Sequence, residues 1–300
     1  MNIGLVNEGN VKSFFPFMND EVKAYVSYCF ANGYEGNLVI LGLVDDDADN
    51  EPVGVLVCEL DTNQGIADIT TLFIKTKYRR NGYATELVIL LCTYLSYMIE
   101  RFKVVCTVTK YNNLFFDGEA NGTGLMKLFS YLEFDEEKVE DAGCYYCTVG
   151  DLRDNEILKK KGNHKFKKLS EATRAEKSLL ENEEREYLFE AVCEGKIDQG
   201  LSRLFIVDGE IKACALFSSD EKSITFEWGS VDSEYKMALV PMLSEICEEI
   251  FNTRDDSTEI YFPYINDHSK ALVEKILKEH LKIAEENFIY EYSLLDTGLE

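Results

Sequence analysis

The first 150 residues of the chain contain no histidine, and the three histidines that the sequence has, His164, His268 and His280, all follow that point. This absence excludes Ser-His-Asp, Cys-His and zinc-His chemistry from the N-terminal half. Carboxylate, tyrosine and cysteine side chains remain there as candidate catalytic groups, and we expect no metal.

The chain also lacks a long apolar run. The longest, Leu87 to Ile99, is too short to cross a bilayer, and Met1-Asn2-Ile3-Gly4 does not resemble the start of a signal peptide. The nine cysteines are an odd number spread over a large chain, which is typical of reduced thiols and not of a disulfide framework. We therefore expect a soluble, cytoplasmic protein that does not bind membranes.

Positive charge is scarce, since 31 basic residues stand against 55 acidic ones and the net charge is −24. Such a surface repels phosphate backbones and anionic lipids, which argues against nucleic acid as a partner. The same field attracts cations. One local exception is a basic patch of four residues, Lys75, Lys77, Arg79 and Arg80, which on its own would be typical of a solvated loop.

At 300 residues and 46% hydrophobic content, the chain is long and apolar enough for two domains. Hydrophobic periodicity and turn signals in the first half predict a helix, an antiparallel three-stranded meander, and then alternating helices and strands. In chain order these predicted elements are a helix at Val11–Phe30, strands at Leu38–Val44, Val53–Leu60 and Ile66–Ile74, a helix from Ala84, a strand at Val104–Thr109, a helix at Leu125–Phe134 and a strand at Cys144–Val149.

The second half shows the same order of elements, which favours an internal duplication. Its predicted elements are strands at Leu204–Val207, Ile211–Phe217 and Ser223–Val231, a helix at Ala238–Phe251, a strand at Glu259–Phe262, a helix at His268–Leu281 and a strand at Phe288–Leu294. The stretch 151–168 is rich in Lys, Asn and Gly and predicts a domain boundary. We expect an α/β (α+β) fold of two domains, 1–152 and 165–300, each a mixed, mostly antiparallel twisted sheet flanked by helices.

The segment between the third predicted strand and the next helix carries the pattern Arg79-x-x-Gly82-x-Ala84. Gly82 lets the backbone bend and approach a ligand closely, and the free N–H groups at the start of the following helix favour an anion. A pyrophosphate fits this description. The loop is neither a Walker A loop nor a G-x-G-x-x-G dinucleotide loop.

At these residues the sequence resembles the GNAT N-acetyltransferase superfamily, whose cofactor loop follows the pattern Arg/Gln-x-x-Gly-x-Gly/Ala. The resemblance runs from Ile40 to Val149 in element order and is concentrated in Ile66–Leu95. It implies acetyl-CoA as cosubstrate, with the pantetheine arm pairing to the third strand and the next strand splaying away. The cofactor-binding residues that it implies are Leu72, Phe73, Ile74, Arg79, Arg80, Asn81, Gly82, Tyr83, Ala84, Thr85 and Asn112.

The resemblance also implies candidates for catalysis. Asp68 stands eleven residues before Arg79, the spacing at which the histone-acetylating branch of the family carries its base Glu, although an exposed polar residue on an alternating strand fits the position equally well. The family often places a Tyr that acts as general acid toward the CoA thiolate where this chain has Phe129. Tyr111 is therefore the alternative candidate for the general acid.

The corresponding loop of the second half, Asp232 to Ala238, contains no glycine, so this half is expected to be a degenerate GNAT-like repeat that does not bind a pyrophosphate. Together these features predict an acetyl-CoA-dependent N-acetyltransferase that acts on a primary amine of a small cationic molecule or of a lysine side chain. The alternative is a catalytically impaired protein that binds or senses CoA.

Overall fold

The computed structural model describes residues 1–48, 50–98, 102–112, 122–181 and 186–294 of the protein. These residues form two compact units. Unit 1 contains the described parts of Met1–Lys110, Asp117–Val139 and Asn287–Glu300, and unit 2 contains those of Tyr111–Phe116 and Glu140–Glu286. These bounds differ from the predicted ranges 1–152 and 165–300, because unit 1 ends at Val139 in the middle of the chain and takes up the C-terminal residues from Asn287 onward.

Twelve strands and eight α-helices are described. The strands are β1 (Asn2–Leu5), β2 (Leu38–Asp45), β3 (Glu51–Asp61), β4 (Ile66–Ile74), β5 (Lys103–Tyr111), β6 (Asp135–Thr148), β7 (Lys167–Lys168), β8 (Arg203–Val207), β9 (Glu210–Ser219), β10 (Ser223–Val231), β11 (Glu259–Tyr264) and β12 (Lys282–Ser293). The helices are α1 (Asp20–Asn32), α2 (Tyr83–Ser96), α3 (Thr123–Tyr131), α4 (Val149–Arg153), α5 (Arg174–Ser178), α6 (Glu186–Cys193), α7 (Leu239–Thr253) and α8 (Asp267–Leu277).

In unit 1 the strands follow the order β1-β2-β3-β4-β5, and the C-terminal part of β12 and the N-terminal part of β6 come next. Strands β1 to β4 are antiparallel, whereas β4 and β5 are parallel. One face of this sheet packs against α2, through the buried side chains Leu87, Leu91 and Leu95. The other face packs against α1, where Val22 and Val26 contact Val55 and Val57 of β3.

The predicted helix Val11–Phe30 is wrong in its first half. The structure has two short 3-10 turns there, Val11–Ser13 and Phe15–Phe17, and α1 begins only at Asp20. Pro16 lies inside the second turn, where its missing N–H does not support a continuous α-helix. The side chain of Asn19 then accepts a hydrogen bond from Val22 N at 2.8 Å and fixes the start of α1.

In unit 2 the N-terminal part of β12 and the C-terminal part of β6 are followed by β11-β10-β9-β8-β7. Helices α7 and α8 cover one sheet face, where Ile246, Ile250 and Leu277 are buried against β9, β10 and β11. A separate cluster joins α6 to β8 and β9 through Leu188, Val192 and Leu204. The predicted mixed α/β class is confirmed: the chain forms mostly antiparallel sheets flanked by helices.

Candidate functional site

The loop between β4 and α2 in unit 1 is held at its base by two interactions. Lys75 N donates to Val53 O at 2.8 Å, and the hydroxyl of Tyr78 donates to Asp45 Oδ2 at 2.7 Å. The chain then takes up left-handed backbone at Arg80, with φ 65°, and again at Gly82, with φ 86°. A left-handed conformation at a residue with a side chain is uncommon and often occurs at binding sites.

Helix α2 begins without a side-chain cap, because Gly82 occupies the N-cap position and carries no side chain. The N–H groups of Tyr83, Ala84 and Thr85 lie in the first turn, where an α-helix has no acceptor of its own for them. A Cβ built on Gly82 has no heavy atom within 4 Å, so space is open on this side of the loop. Open space, free donors and the positive end of the helix dipole suit a phosphate group.

The four basic residues of the predicted patch have different roles. Arg79 Nε donates to Ile74 O at 2.8 Å and the guanidinium lies 5.6 Å from the Phe73 ring, so Arg79 ties the loop to the end of β4. Lys75 pairs with Glu51 at 2.5 Å, and Lys77 lies 5.0 Å from the Tyr78 ring. Arg80 is exposed, and its side chain has no ion pair with any described residue. Arg80 is therefore available to a ligand.

Strands β4 and β5 pair over a short stretch only. Their parallel register joins Ile66 to Lys103, Ala67 to Val104 and Asp68 to Val105, and no pairs follow within the described residues. Beyond Asp68 the edge of β4 forms no further ladder pairs with β5 among the described residues, although the side chains of Cys106 and Arg79 donate to Ile69 O at 3.5 Å and to Ile74 O at 2.8 Å. Leu72 and Phe73 lie between these two contacts. An extended chain of amide groups, such as the pantetheine arm that the sequence predicts here, can add to such an edge.

A β-bulge interrupts β4 just after Asp68. Val57 of β3 is opposite Thr71 and Cys58 is opposite Ile69, so Thr70 is the extra residue. The hydroxyl of Thr70 is buried and has no hydrogen-bond partner among the described residues. Sequence reasoning missed this feature, because a bulge depends on strand register.

Asp68 is the last residue of β4 that pairs with β5, and it is half-buried. Burial raises the pKa of its carboxyl above the ordinary value. Directly across the antiparallel pair stands Glu59 of β3. Burial and then the charges of Asp68 and Glu21 raise the pKa of Glu59 as well. The sequence analysis did not identify Glu59, since only the strand register brings it next to Asp68.

Residues 11–114 match the model of the acetyltransferase (GNAT) family. This part of the chain is a GNAT domain. The matched range contains the Arg79-to-Ala84 loop, strand β4 and both carboxylates, so the resemblance that the loop predicted is confirmed.

Solved structures show the same fold. An acetyltransferase of the GNAT family from Colwellia psychrerythraea is 10% identical, with 98% of this chain and 100% of that chain covered and a TM-score of 0.53. A tandem GNAT protein from the clavulanic acid biosynthesis pathway is 11% identical, with 86% and 83% covered and a TM-score of 0.51. No curated protein sequence matches significantly. None of the described helices is long and apolar enough to cross a membrane.

Two residues predicted at the GNAT site, Tyr111 and Asn112, fall in unit 2. Asn112 N donates to Ala284 O at 2.6 Å, and its side chain donates to Glu286 Oε2 at 3.0 Å. Burial, and then the charge of Glu285, raises the pKa of Tyr111. Asn112 is thus held at the N-terminal part of β12, and the roles of Tyr111 and Asn112 in the GNAT site stay predictions.

Phe129, at the position where the family often has a Tyr, is fully buried in the core of unit 1. Its ring stacks on Tyr290 of β12 at 5.5 Å and packs on Phe134 at 5.0 Å. The neighbouring Tyr131 has 76% of its side chain exposed. The Phe129 position therefore serves packing in this chain.

The helix of unit 2 that corresponds to α2 begins differently. A 3-10 turn, Ser233–Ala238, leads into α7, and Ala238 has right-handed backbone with φ −79°. Pro241 lies in the first turn of α7 and removes one of the N–H donors that an anion would need. These features agree with the predicted lack of a pyrophosphate loop, and Pro241 was a sequence signal that the analysis did not use.

Proposed function

We propose that the GNAT domain transfers an acetyl group from acetyl-CoA to a primary amine of a small cationic molecule or of a lysine side chain, in the cytoplasm. The observation that carries this proposal is one arrangement in unit 1. Gly82, with left-handed backbone, precedes the uncapped helix α2, and the neighbouring strand β4 stops pairing with β5 at the half-buried carboxylate of Asp68.

The residues present fit acetyl-CoA. The pyrophosphate would be held by the N–H groups of the first turn of α2 and by Arg80, and the pantetheine arm would pair with the edge of β4 beyond Asp68. When bound, acetyl-CoA supplies a thioester as the acyl donor. The bulge takes Thr70 out of the β3–β4 ladder, next to the edge that would hold the pantetheine arm.

The acceptor amine is a cation at neutral pH, with an ordinary pKa near 10 for a lysine-type amine. It has to lose a proton before it can attack a carbonyl carbon. A carboxylate whose pKa is raised by burial takes this proton more readily than an ordinary one, which suits Asp68. The strongly negative net charge of the chain would concentrate cationic acceptors near the protein.

A second candidate function is CoA binding without catalysis. Phe129 favours it, because a buried phenylalanine stands at the position of the family's acidic Tyr and cannot return a proton to CoA. A thiolate is nevertheless a good leaving group, so the loss of this acid does not by itself prevent transfer.

Release of free CoA from acetyl-CoA, measured with a panel of primary amines, tests the proposal. We expect amine-dependent release by the wild type and almost none by Gly82→Val, whose side chain would fill the open space above the loop. CoA binding without amine-dependent release would favour the second candidate. Absence of both would contradict the proposal and its alternative.

A further inference from the structure

Glu59 and Asp68 form a cross-strand pair on one face of the unit 1 sheet. They are direct partners in the antiparallel β3–β4 register. Side chains at such positions have Cβ atoms about 4.5–5.5 Å apart. Glu59 alternates with Val55 and Val57, which pack against α1, so the pair lies on the α1 face.

Among the described residues, no cation is paired with either carboxylate. The titratable groups that interact with the pair are Glu21, Tyr25 and Cys29 of α1 and, from the α2 face of the sheet, Cys58 of β3 and Cys106 of β5. Burial raises the pKa of Tyr25 and of Cys106 to about 12, so both groups are neutral at physiological pH. Glu21 adds a negative charge.

Two carboxylates this close cannot both ionise freely, and they titrate as a pair. Burial raises the pKa of Asp68, and burial and then the charge of Asp68 raise the pKa of Glu59. The two carboxylates therefore share one proton as the pair titrates. Asp68 is the carboxylate beside the opening between β4 and β5, and Glu59 lies behind it on β3.

We propose that Glu59 is the terminal proton acceptor of the acetyl transfer and receives the acceptor's ammonium proton through Asp68. This inference rests on the proposed function. Glu59 is in this scheme a positioning residue that acts through Asp68, and it compensates for an aspartate that is one methylene shorter than glutamate.

The step balances as follows. One N–H bond of the ammonium breaks, its electron pair stays on nitrogen, and the proton passes through Asp68 to an oxygen of Glu59. The nitrogen then bonds to the carbonyl carbon of the thioester, and the C–S bond breaks with its electron pair on sulfur. A second proton from nitrogen neutralises the thiolate, and Glu59 returns its proton to solvent.

Steady-state kinetics of the full-length protein test this relay, with the variants Glu59→Gln, Asp68→Asn, the double variant and Glu59→Asp. Glu137→Gln, at an exposed position of β6 in unit 1, is the matched control. We expect Glu59→Gln to lower kcat about 100-fold at neutral pH, the lower end of a general base's contribution, with little change in KM. The acidic limb of the pH–kcat profile of Glu59→Gln should move to lower pH. Glu59→Asp should recover part of the rate. The double variant should be no slower than the slower single variant.

A ligand-free titration provides a readout that does not depend on turnover. Carboxyl NMR of the wild type should show a glutamate that titrates above the ordinary range, and this signal should be absent from Glu59→Gln and shifted down in Asp68→Asn. If Glu59→Gln has the same kcat and pH profile as Glu137→Gln, the inference is overturned. The proposed function still stands in that case, because the wild type turns over. A wild type that releases no CoA with any amine would overturn both.

Discussion

Replacement of Gly82 by alanine separates the conformational role of this glycine from its role toward a ligand. Gly82 has φ 86° and no heavy atom within 4 Å of a built Cβ. The methyl group therefore clashes with nothing in the protein. The cost to folding is the left-handed backbone alone, about 1–2 kcal/mol for a residue with a side chain. For a domain of this size class, each kcal/mol lowers Tm by about 2–4 °C.

Gly33 is a matched control for this substitution. It ends α1 with φ 74° and likewise has nothing within 4 Å of a built Cβ, but it lies far along the chain from the β4–α2 loop. Gly33→Ala should therefore cost the same about 1–2 kcal/mol. The two variants should have similar Tm values without ligand.

Addition of CoA should distinguish them. A ligand at about 100 times its Kd stabilises the native state by about 2.7 kcal/mol. Gly33→Ala should keep this increase in Tm. Gly82→Ala should lose at least about half of it, since a roughly tenfold weaker Kd corresponds to about 1.4 kcal/mol, because the methyl group occupies space that the pyrophosphate needs. Thermal unfolding and isothermal titration measure both effects. Wild-type affinity in Gly82→Ala, or an equal loss in Gly33→Ala, would refute the reasoning.

Asp68→Asn should lower turnover about 100-fold or more at neutral pH in CoA-release assays, with partial recovery at high pH as the amine deprotonates unaided; a rate close to wild type would remove Asp68 from the mechanism. Burial raises the folded-state pKa of Asp68, so ionisation of this carboxyl destabilises the fold as pH rises through that pKa. Asp68→Asn should therefore have a higher Tm than wild type at neutral pH, and it should lose this advantage below about pH 4, where the wild-type carboxyl is protonated. A lower Tm of the variant at neutral pH would contradict this. Arg80→Ala should weaken CoA binding about tenfold in low salt and Lys77→Ala only slightly, with the difference shrinking as salt is added; equal effects of both variants would argue against the assigned role of Arg80. Titration of the full chain with CoA should give one binding site, because Pro241 in the first turn of α7 removes an N–H donor from the second repeat. A second CoA site that survives in Gly82→Ala would contradict the prediction that the second repeat binds no pyrophosphate.

The local parts of the GNAT site could be predicted from the sequence because they depend on neighbours in the chain. Strand β4 has the predicted bounds, since a run rich in β-branched and apolar residues between two turns specifies it. The left-handed residue before α2 could also be expected, because glycine is the residue that adopts this backbone at no steric cost. The N-terminal part of β6 was missed, since its mostly exposed, charged residues show no apolar alternation.

Other parts of the site were decided by the tertiary structure. Glu59 meets Asp68, and Thr70 becomes a bulge, only through the register of β3 on β4. Phe129 becomes a core residue because Tyr290, from the C-terminal strand, stacks on it. The sequence by itself determined the family and suggested the phosphate loop and the candidate base, which stay predictions, because each is encoded within a short segment. The partner of that base depends on pairing between separate segments, and no local pattern specifies which residues such pairing places side by side.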